Sequence, residues 1–322
     1  MSSTPGPPSA ASAPLDADSG PAALGTAELG TPALPAGRAH ELLDAYHEHG
    51  GRLLDTAPTY GAADGAFHAE GLIATWLSTT GASGVHVITK AGLNPAHPDR
   101  GDLRPETILG QARRSADCLG TVFTLLLHRD DPRVPLDEIA DAADRAVREG
   151  LADRVGASNW TTARLNAWIS HAHQAGLAAP QVTAPLWSLA PRADSPDEPW
   201  LVEADAAHLD LAARHGMTVT PYRTLAAGFL AARHSGRHAG HHATTYDTPV
   251  GQARRTRLHH AARMLAMTPH GLALAYLRAA SPVHAVPVIG PRTRQQLAES
   301  MSGAAAAARV TPELIAFLES RA

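Results

Sequence analysis

Of the 27 lysine and arginine residues in the 322-residue chain, Lys90 is the only lysine. Arginine stays charged and offers a planar fork, which suffices wherever only a surface charge is wanted. Lysine is a compact point charge whose proton can be tuned by its neighbours. A chain that has otherwise dispensed with lysine keeps it at 90 for that property; the bland alternative is a chance survivor or a strand end that snorkels to water. Lys90 closes the run Val85–His86–Val87–Ile88–Thr89. Before it, Gly51–Arg52–Leu53–Leu54–Asp55–Thr56–Ala57–Pro58–Thr59–Tyr60–Gly61 ends its apolar run at Asp55, with Tyr60 just beyond. After it, Thr124–Leu125–Leu126–Leu127–His128–Arg129 ends at His128. Each segment thus delivers one titratable group at the end of an apolar run.

Such runs read as strands and predict the elements that position these groups. Strand candidates lie near 24–26, 53–56, 85–89, 122–127, 154–157, 180–183, 217–220 and 285–289. Helical stretches alternate with them: Arg38–Glu48, Ala69–Leu77, Pro105–Leu119, Leu136–Glu149 and Thr161–Ala175. Pro105–Glu106 and Thr161–Thr162 have the chemistry of helix starts. Gly50, Gly120, Gly150, Gly176 and Gly216 each follow a helical run, as C-terminal caps do. Short strands alternating with helices predict a parallel sheet with crossover helices. In such sheets functional groups gather at the C-terminal strand edge, so Asp55, Tyr60, Lys90 and His128 are expected at one mouth.

That order, with Asp55–Thr56–Ala57 followed by Tyr60–Gly61, resembles the aldo/keto reductase superfamily from about Leu24 to the C-terminal helix. Leu127–His128–Arg129–Asp130–Asp131–Pro132 and Gly156–Ala157–Ser158–Asn159–Trp160 resemble one bacterial branch of it. The resemblance implies an α/β (β/α)8 TIM barrel and NADPH-dependent reduction of an aldehyde or ketone. Tyr60 would give the proton, Lys90 would lower the phenol's pKa, Asp55 would orient Lys90, and His128 would hydrogen-bond the carbonyl. Singly, each has a duller reading: Tyr60 as a turn residue, Asp55 as a helix cap, His128 as a satisfied buried group.

The resemblance extends to a cofactor pocket. It implies Ser158, Asn159 and Gln181 around the nicotinamide carboxamide, and Trp187 stacked on the ring. Gly25 and Thr26, ending the first strand candidate, are counted with them. Pro221–Tyr222–Arg223–Thr224–Leu225–Ala226–Ala227–Gly228 resembles the loop over the pyrophosphate, which assigns Tyr222, Arg223, Leu225 and Gly228 to the cofactor. The run Val288–Ile289–Gly290–Pro291–Arg292 and onward to Ser300 resembles an adenosine clamp, with Arg292, Gln296 and Glu299 at the nucleotide. Arg292 would meet the 2′-phosphate, which favours NADPH. Otherwise Trp187 is a core residue, Arg292 a solvated charge, and Ser158–Asn159 a capped helix start. Arg129 through Pro135 would form a substrate wall, with Arg129 counted beside Tyr60 and His128 as substrate-binding.

Composition narrows the classes. The chain is 44% hydrophobic, enough for a large core, and its net charge of −4 gives no reason for nucleic acid. One cysteine, Cys118, excludes an intramolecular disulfide framework and fits a reducing, cytoplasmic setting. No apolar run approaches the ~20 residues of a membrane span. Residues 1–20, rich in Ala, Pro, Ser and Gly, read as a disordered tail without a secretory pattern, leaving 21–322 as one barrel domain. His234, His238, His241 and His242 fall in a Gly- and Thr-containing stretch, 233–246, that reads as a loop beside the substrate, and no metal site is expected. The short stretch after Arg309 predicts an open mouth with no long C-terminal lid. Alanine and arginine richness suits a GC-rich bacterium and a specialised substrate such as a keto sugar. The remaining expectation is a monomer or small homo-oligomer. Two other classes share these motifs: an isomerase or dehydratase using Tyr60 and Lys90 without net redox, and a redox-silent NADP-binding subunit.

Overall fold

A computed structural model describes residues 19–61, 68–97, 99–120, 122–193, 198–232, 241–280 and 282–320. Most of the expected tail (1–18), and 233–240 of the histidine-rich stretch, lie outside the described residues. Ser19 and Gly20 belong instead to the barrel's lower edge, where the Ser19 carbonyl accepts from Arg52 N at 3.3 Å.

Eight strands form the sheet: β1 Ala23–Gly25, β2 Leu53–Asp55, β3 His86–Ala91, β4 Thr124–Leu127, β5 Arg154–Ser158, β6 Val182–Ala184, β7 Thr218–Val219 and β8 Val288–Ile289. All neighbouring pairs run parallel, in the order β7-β6-β5-β4-β3-β2-β1-β8. The ends of that order meet through Val219, which donates to His284 O and accepts from Val286 N, both at 2.9 Å. The result is a (β/α)8 barrel, as expected. Its helices are α1 Ala36–Glu48, α2 His68–Thr80, α3 Pro105–Leu119, α4 Leu136–Arg148, α5 Thr162–Ala175, α6 Ala206–Arg214, α7 Pro249–Met264, α8 Pro269–Ala279, α9 Arg294–Ala305 and α10 Pro312–Glu319. The expected strands at 217–220 and 285–289 each shrink to two residues, that at 122–127 begins at Thr124, and that at 180–183 moves to 182–184, because ladder bonds continue past the regular geometry.

Strand periodicity divides the core. Ala23, Leu53, Ile88, Leu126, Val182, Ala184 and Val286 pack together as the inner cluster. The residues between them face the helices: Leu54 and Leu127 join the outer core, while Thr89 donates to Glu70 Oε1 on α2. Side chains alternate with period two. Two residues beyond Leu53, Ile88 and Leu126 therefore come Asp55, Lys90 and His128, inward at the C-terminal edge. A buried leucine at any of these places would contribute about 1.5–3 kcal/mol of apolar transfer. The strands forgo that stabilisation at their last inward position.

Gly156 shows how tightly the inner space is filled. A Cβ there would lie 2.7 Å from Leu126 Cδ2 and 2.2 Å from the Val182 carbonyl oxygen. Away from the mouth, α10 packs on α7, where Arg254 donates to Leu189 O at 2.9 Å and to Glu319 O at 3.3 Å. No helix among the described residues is long and apolar enough to cross a membrane.

Candidate active site

Asp55 is the last residue of β2, Lys90 sits in β3, and His128 follows β4 directly. Tyr60 lies in the turn after β2, held by its N–H to Ala57 O at 3.0 Å and by Ala69 N on its own carbonyl at 3.2 Å. Lys90 Nζ donates to Asp55 Oδ1 and to Thr56 O, both at 2.8 Å. The ammonium also stands 4.8 Å from the centre of the Tyr60 ring. Across the pocket the Tyr60 and His128 rings meet edge to face, 6.0 Å apart at 81°. The four residues line one pocket of about 80 Å³, together with Ser158, Asn159, Ala184, Trp200, Thr220 and Tyr222.

Burial sets the protonation states. For Lys90 it acts to lower the pKa, but Asp55 and Tyr60 raise it by more, so the ammonium is held firmly charged. Burial lifts the Tyr60 phenol above its ordinary range, and the opposing pull of Lys90 does not reverse it. Lys90 alone would lower it, but the phenol loses more from missing solvation than one ammonium restores. The His128 imidazole is held well below its ordinary value by burial first, then by repulsion from Lys90 and Arg129. It is neutral at neutral pH. The site thus holds a protonated phenol, a neutral imidazole and a charged ammonium around one cavity.

Ser158 ends β5 facing inward, and Asn159 turns the chain with φ 60°, a left-handed conformation that asparagine tolerates better than most residues. Asn159 Nδ2 donates to Ser158 Oγ at 3.1 Å, while its Oδ1 accepts from the Tyr222 hydroxyl. Thr220 Oγ1, on the same wall, is buried without a partner. Thr26 is fully buried and gives both its N–H and its hydroxyl to Asp55 O, at 3.0 and 2.9 Å. Gly25 pairs with Asp55, and a Cβ there would come within 2.9 Å of Val288 Cγ1. Both therefore brace the strand that carries Asp55.

Three expected residues stand elsewhere. Gln181 precedes β6 and shares the alternation of Thr183, whose hydroxyl meets His208 of α6 at 3.0 Å. It therefore lies at the lower strand edge on the helix-facing side, and the pocket wall at β6 is Ala184 instead. Trp187 is buried in a different cavity, with Arg254, Tyr276 and Glu319. The parity of the segment after β6 turns it away, and Tyr222 and Trp200 join Tyr60 and His128 as the pocket's rings. Arg223 has φ 51° and forms a two-pronged pair with Glu198 at 2.9 and 2.5 Å, a carboxylate that also accepts from Arg192 at 3.1 Å. Its charge is thereby matched within the protein rather than left for a phosphate.

The loop from Arg223 is compact and left-handed at Ala226, Ala227 and Gly228, with φ of 52°, 52° and 91°. Gly228 N donates to Leu225 O at 3.0 Å, and Thr224 Oγ1 ties the loop to Val288 O at 2.9 Å. At the start of α9, Arg292 is exposed and meets Glu28 at 3.3 Å, with its backbone N–H on Gln296 Oε1 at 2.8 Å. Glu299 accepts from Gln295 at 2.9 Å and faces His270 at 3.1 Å. Among the described residues, no group of three His, Cys, Asp or Glu side chains is placed to hold a metal. His241 begins a 3-10 helix, His241–Tyr246.

Trp200, Thr220 and Glu198 were missed. The usable signal for Trp200 and Glu198 was length: the segment between β6 and α6 runs from Pro185 to Asp205 at the strands' C-terminal edge. Long segments there form the walls of barrel sites.

Residues 22–319 match the family described as the Aldo/keto reductase family. The chain is 27% identical over 278 residues to the uncharacterized oxidoreductase YrpG of Bacillus subtilis, covering 82% of this chain and 81% of that one. It is 28% identical over 302 residues to the aldo-keto reductase ausK of Emericella nidulans, covering 88% and 71%. A Schizosaccharomyces pombe protein named for a voltage-gated potassium channel beta subunit is 26% identical over 210 residues, covering 60% and 57%.

Proposed function

The chain belongs to the aldo/keto reductase family, and on that premise we propose that it is an NADPH-dependent oxidoreductase that reduces an aldehyde or ketone to an alcohol. The observation that carries this reading is the meeting of Tyr60, Lys90, Asp55 and His128 in one pocket beside Ser158 and Asn159. A dihydronicotinamide bound there supplies the hydride that adds to the carbonyl carbon. The protein's part is to bind and orient the carbonyl and to protonate its oxygen. His128, neutral, donates a hydrogen bond to the oxygen and fixes which face of the carbonyl is presented. Tyr60 gives its proton to that oxygen as negative charge develops, and Lys90 at its ring stabilises the phenolate left behind. Asp55 and Thr56 O hold the ammonium in position. Tyr60 then regains its proton from solvent.

The residues present suit a nicotinamide nucleotide. Thr220 Oγ1 is an unfilled polar atom on the pocket wall, a match for a polar ring substituent beside Ser158 and Asn159. The small residues Ala226, Ala227 and Gly228 let a phosphate come close to the loop, although the Ala226 and Gly228 N–H groups are spent on Arg223 O and Leu225 O. Arg292 is occupied only by an exposed, weak pair with Glu28, which a 2′-phosphate would displace. Gln296 lies in the first turn of α9 and Glu299 in its second, facing His270. The substrate class we favour is a specialised-metabolism carbonyl compound, including keto sugars.

Tryptophan fluorescence during titration with NADPH and with NADH tests the cofactor. Saturable quenching by NADPH at lower concentration than NADH supports the reading, and loss of NADPH absorbance with carbonyl compounds tests the reaction. The named likeness to a channel beta subunit keeps a redox-silent alternative in view. Nucleotide binding without turnover of any carbonyl by the wild type, at the level of Tyr60→Phe, would establish that alternative.

A further inference from the structure

Arg129 follows His128 at the top of β4 and is 8% exposed. Its guanidinium lies on the Trp200 ring, 3.4 Å from the ring centre, and Trp200 forms part of the pocket wall. Stacking engages the face of a guanidinium and leaves its N–H edges in the plane. Those edges are not filled: Nε and Nη1 are both buried without a hydrogen-bond partner.

The carboxylates paired in that quarter serve other cations, and Asp99 and Glu198 act on Arg129 only through space. Glu198 is held by Arg192 and Arg223, Asp130 by Arg164 at 3.1 Å, and Asp131 by Arg133 at 2.7 Å. A buried cation with unmet donors is costly. Burial pushes the Arg129 guanidinium down to about 10, the direction expected of a cation still lacking its anion. Its charge acts on groups around the pocket: it raises no barrier at Tyr60, whose phenolate it favours, and it opposes protonation of His128.

Deepening the reductase reading, on which it rests, we propose that Arg129 is the binding group for a carboxylate carried by the carbonyl substrate, so that the preferred substrates are oxo acids. The carbonyl sits at Tyr60 and His128, and the carboxylate accepts from one of the orphaned donors of Arg129, Nε or Nη1, each of which forms a fork with Nη2. The planar fork suits a carboxylate better than a point charge would. Trp200 holds the guanidinium plane in place, so less rotamer freedom is lost when the anion arrives. The residue next to the catalytic histidine, reached past Trp200 of the wall, thereby selects charge as well as shape.

The test uses the full chain with two measurements. In the first, NADPH loss is followed with 4-formylbenzoate and with its methyl ester. The acid is expected to have a kcat/KM at least about 10-fold higher, carried mainly by KM. Arg129→Met should reduce kcat/KM for the acid about 10- to 100-fold more than for the ester, and Arg129→Lys should recover part of it. Equal values for acid and ester in the wild type, or equal losses in a folded Arg129→Met, would overturn the proposal. The second needs neither turnover nor a variant: calorimetry compares 4-(hydroxymethyl)benzoate with 4-(hydroxymethyl)benzamide on the wild type. Tighter binding of the carboxylate supports the proposal, and equal binding overturns it regardless of turnover. Selective carboxylate binding with no reduction of either aldehyde leaves the Arg129 site standing and removes the reductase reading instead.

Discussion

Lys90 and Asp55 form a 2.8 Å ion pair whose side chains are only 4% and 9% exposed. Removing one partner strands the other charge in a dry place, which typically costs about 3–5 kcal/mol. Lys90→Met should therefore lower stability by about that amount in urea or thermal unfolding. Lys90→Met combined with Asp55→Asn should regain part of the loss. Additive losses in the double variant would mean that the two side chains are not coupled.

Tyr60→Phe removes the proposed proton donor while keeping the ring that packs beside His128. Turnover of any carbonyl substrate should fall by about 10²- to 10⁴-fold. Nucleotide binding, read by fluorescence, should stay within a factor of a few, roughly the noise of such contacts. A variant that retains full turnover would assign proton donation to another group.

Burial holds the Tyr60 phenol above its ordinary range, so the donor is in its acid form through neutral and mildly alkaline pH. Reduction should run without loss of kcat up to about pH 10, the ordinary tyrosine value. Oxidation of the product alcohol needs phenolate and should increase as pH rises toward that value. A reduction rate that falls away between about pH 7 and 8 would sink this assignment, since it would require a donor of lower pKa.

His128 is buried and neutral in the folded state, with its pKa depressed. The unfolded chain takes up a proton at about pH 6.5, whereas the folded protein takes it up only at lower pH. Stability from this residue is therefore complete above about pH 6.5 and is lost as pH falls towards the folded value. His128→Gln should show a smaller drop in Tm between pH 7.5 and pH 5.5 than the wild type. An unchanged drop would assign the acid sensitivity to the other depressed histidines, His208, His215 and His270.

Arg292 lies 59% exposed at the mouth, paired only at 3.3 Å with Glu28. Arg292→Gln should weaken NADPH about tenfold or more and leave NADH nearly unchanged, because only one nucleotide carries the 2′-phosphate. The comparison is a pair of fluorescence titrations. Equal weakening of both nucleotides would move phosphate recognition to a different residue.

Much of the barrel was legible because its signal is local. Each run ended by Asp55, Lys90 or His128 shows its strand by composition, and the glycines at 50, 120, 150, 176 and 216 all take positive φ at helix ends. The expected helix Pro105–Leu119 appears with those bounds. Boundaries slipped where ladder bonds outrun regular geometry, at β4, β6, β7 and most of all β8. Aromatic placement was not legible. Trp187 and Tyr222 both follow strand ends, but which ring enters the pocket depends on how the chain turns after β6 and β7. Arg223 looked like a phosphate ligand until Glu198, from a long loop, met it.

The residues alone set the strand period, and with it the inward direction of Asp55, Lys90 and His128. Alternation along a strand is a property of the backbone and needs no partner to express it. Only the tertiary structure decided the pairings: Glu198 on Arg223, Trp200 under Arg129, and Tyr222 against Asn159. Those contacts join segments distant in the chain through loops whose course no local rule dictates. They also fix the balance between burial and charge, which leaves Tyr60 protonated and His128 neutral despite the lysine beside them.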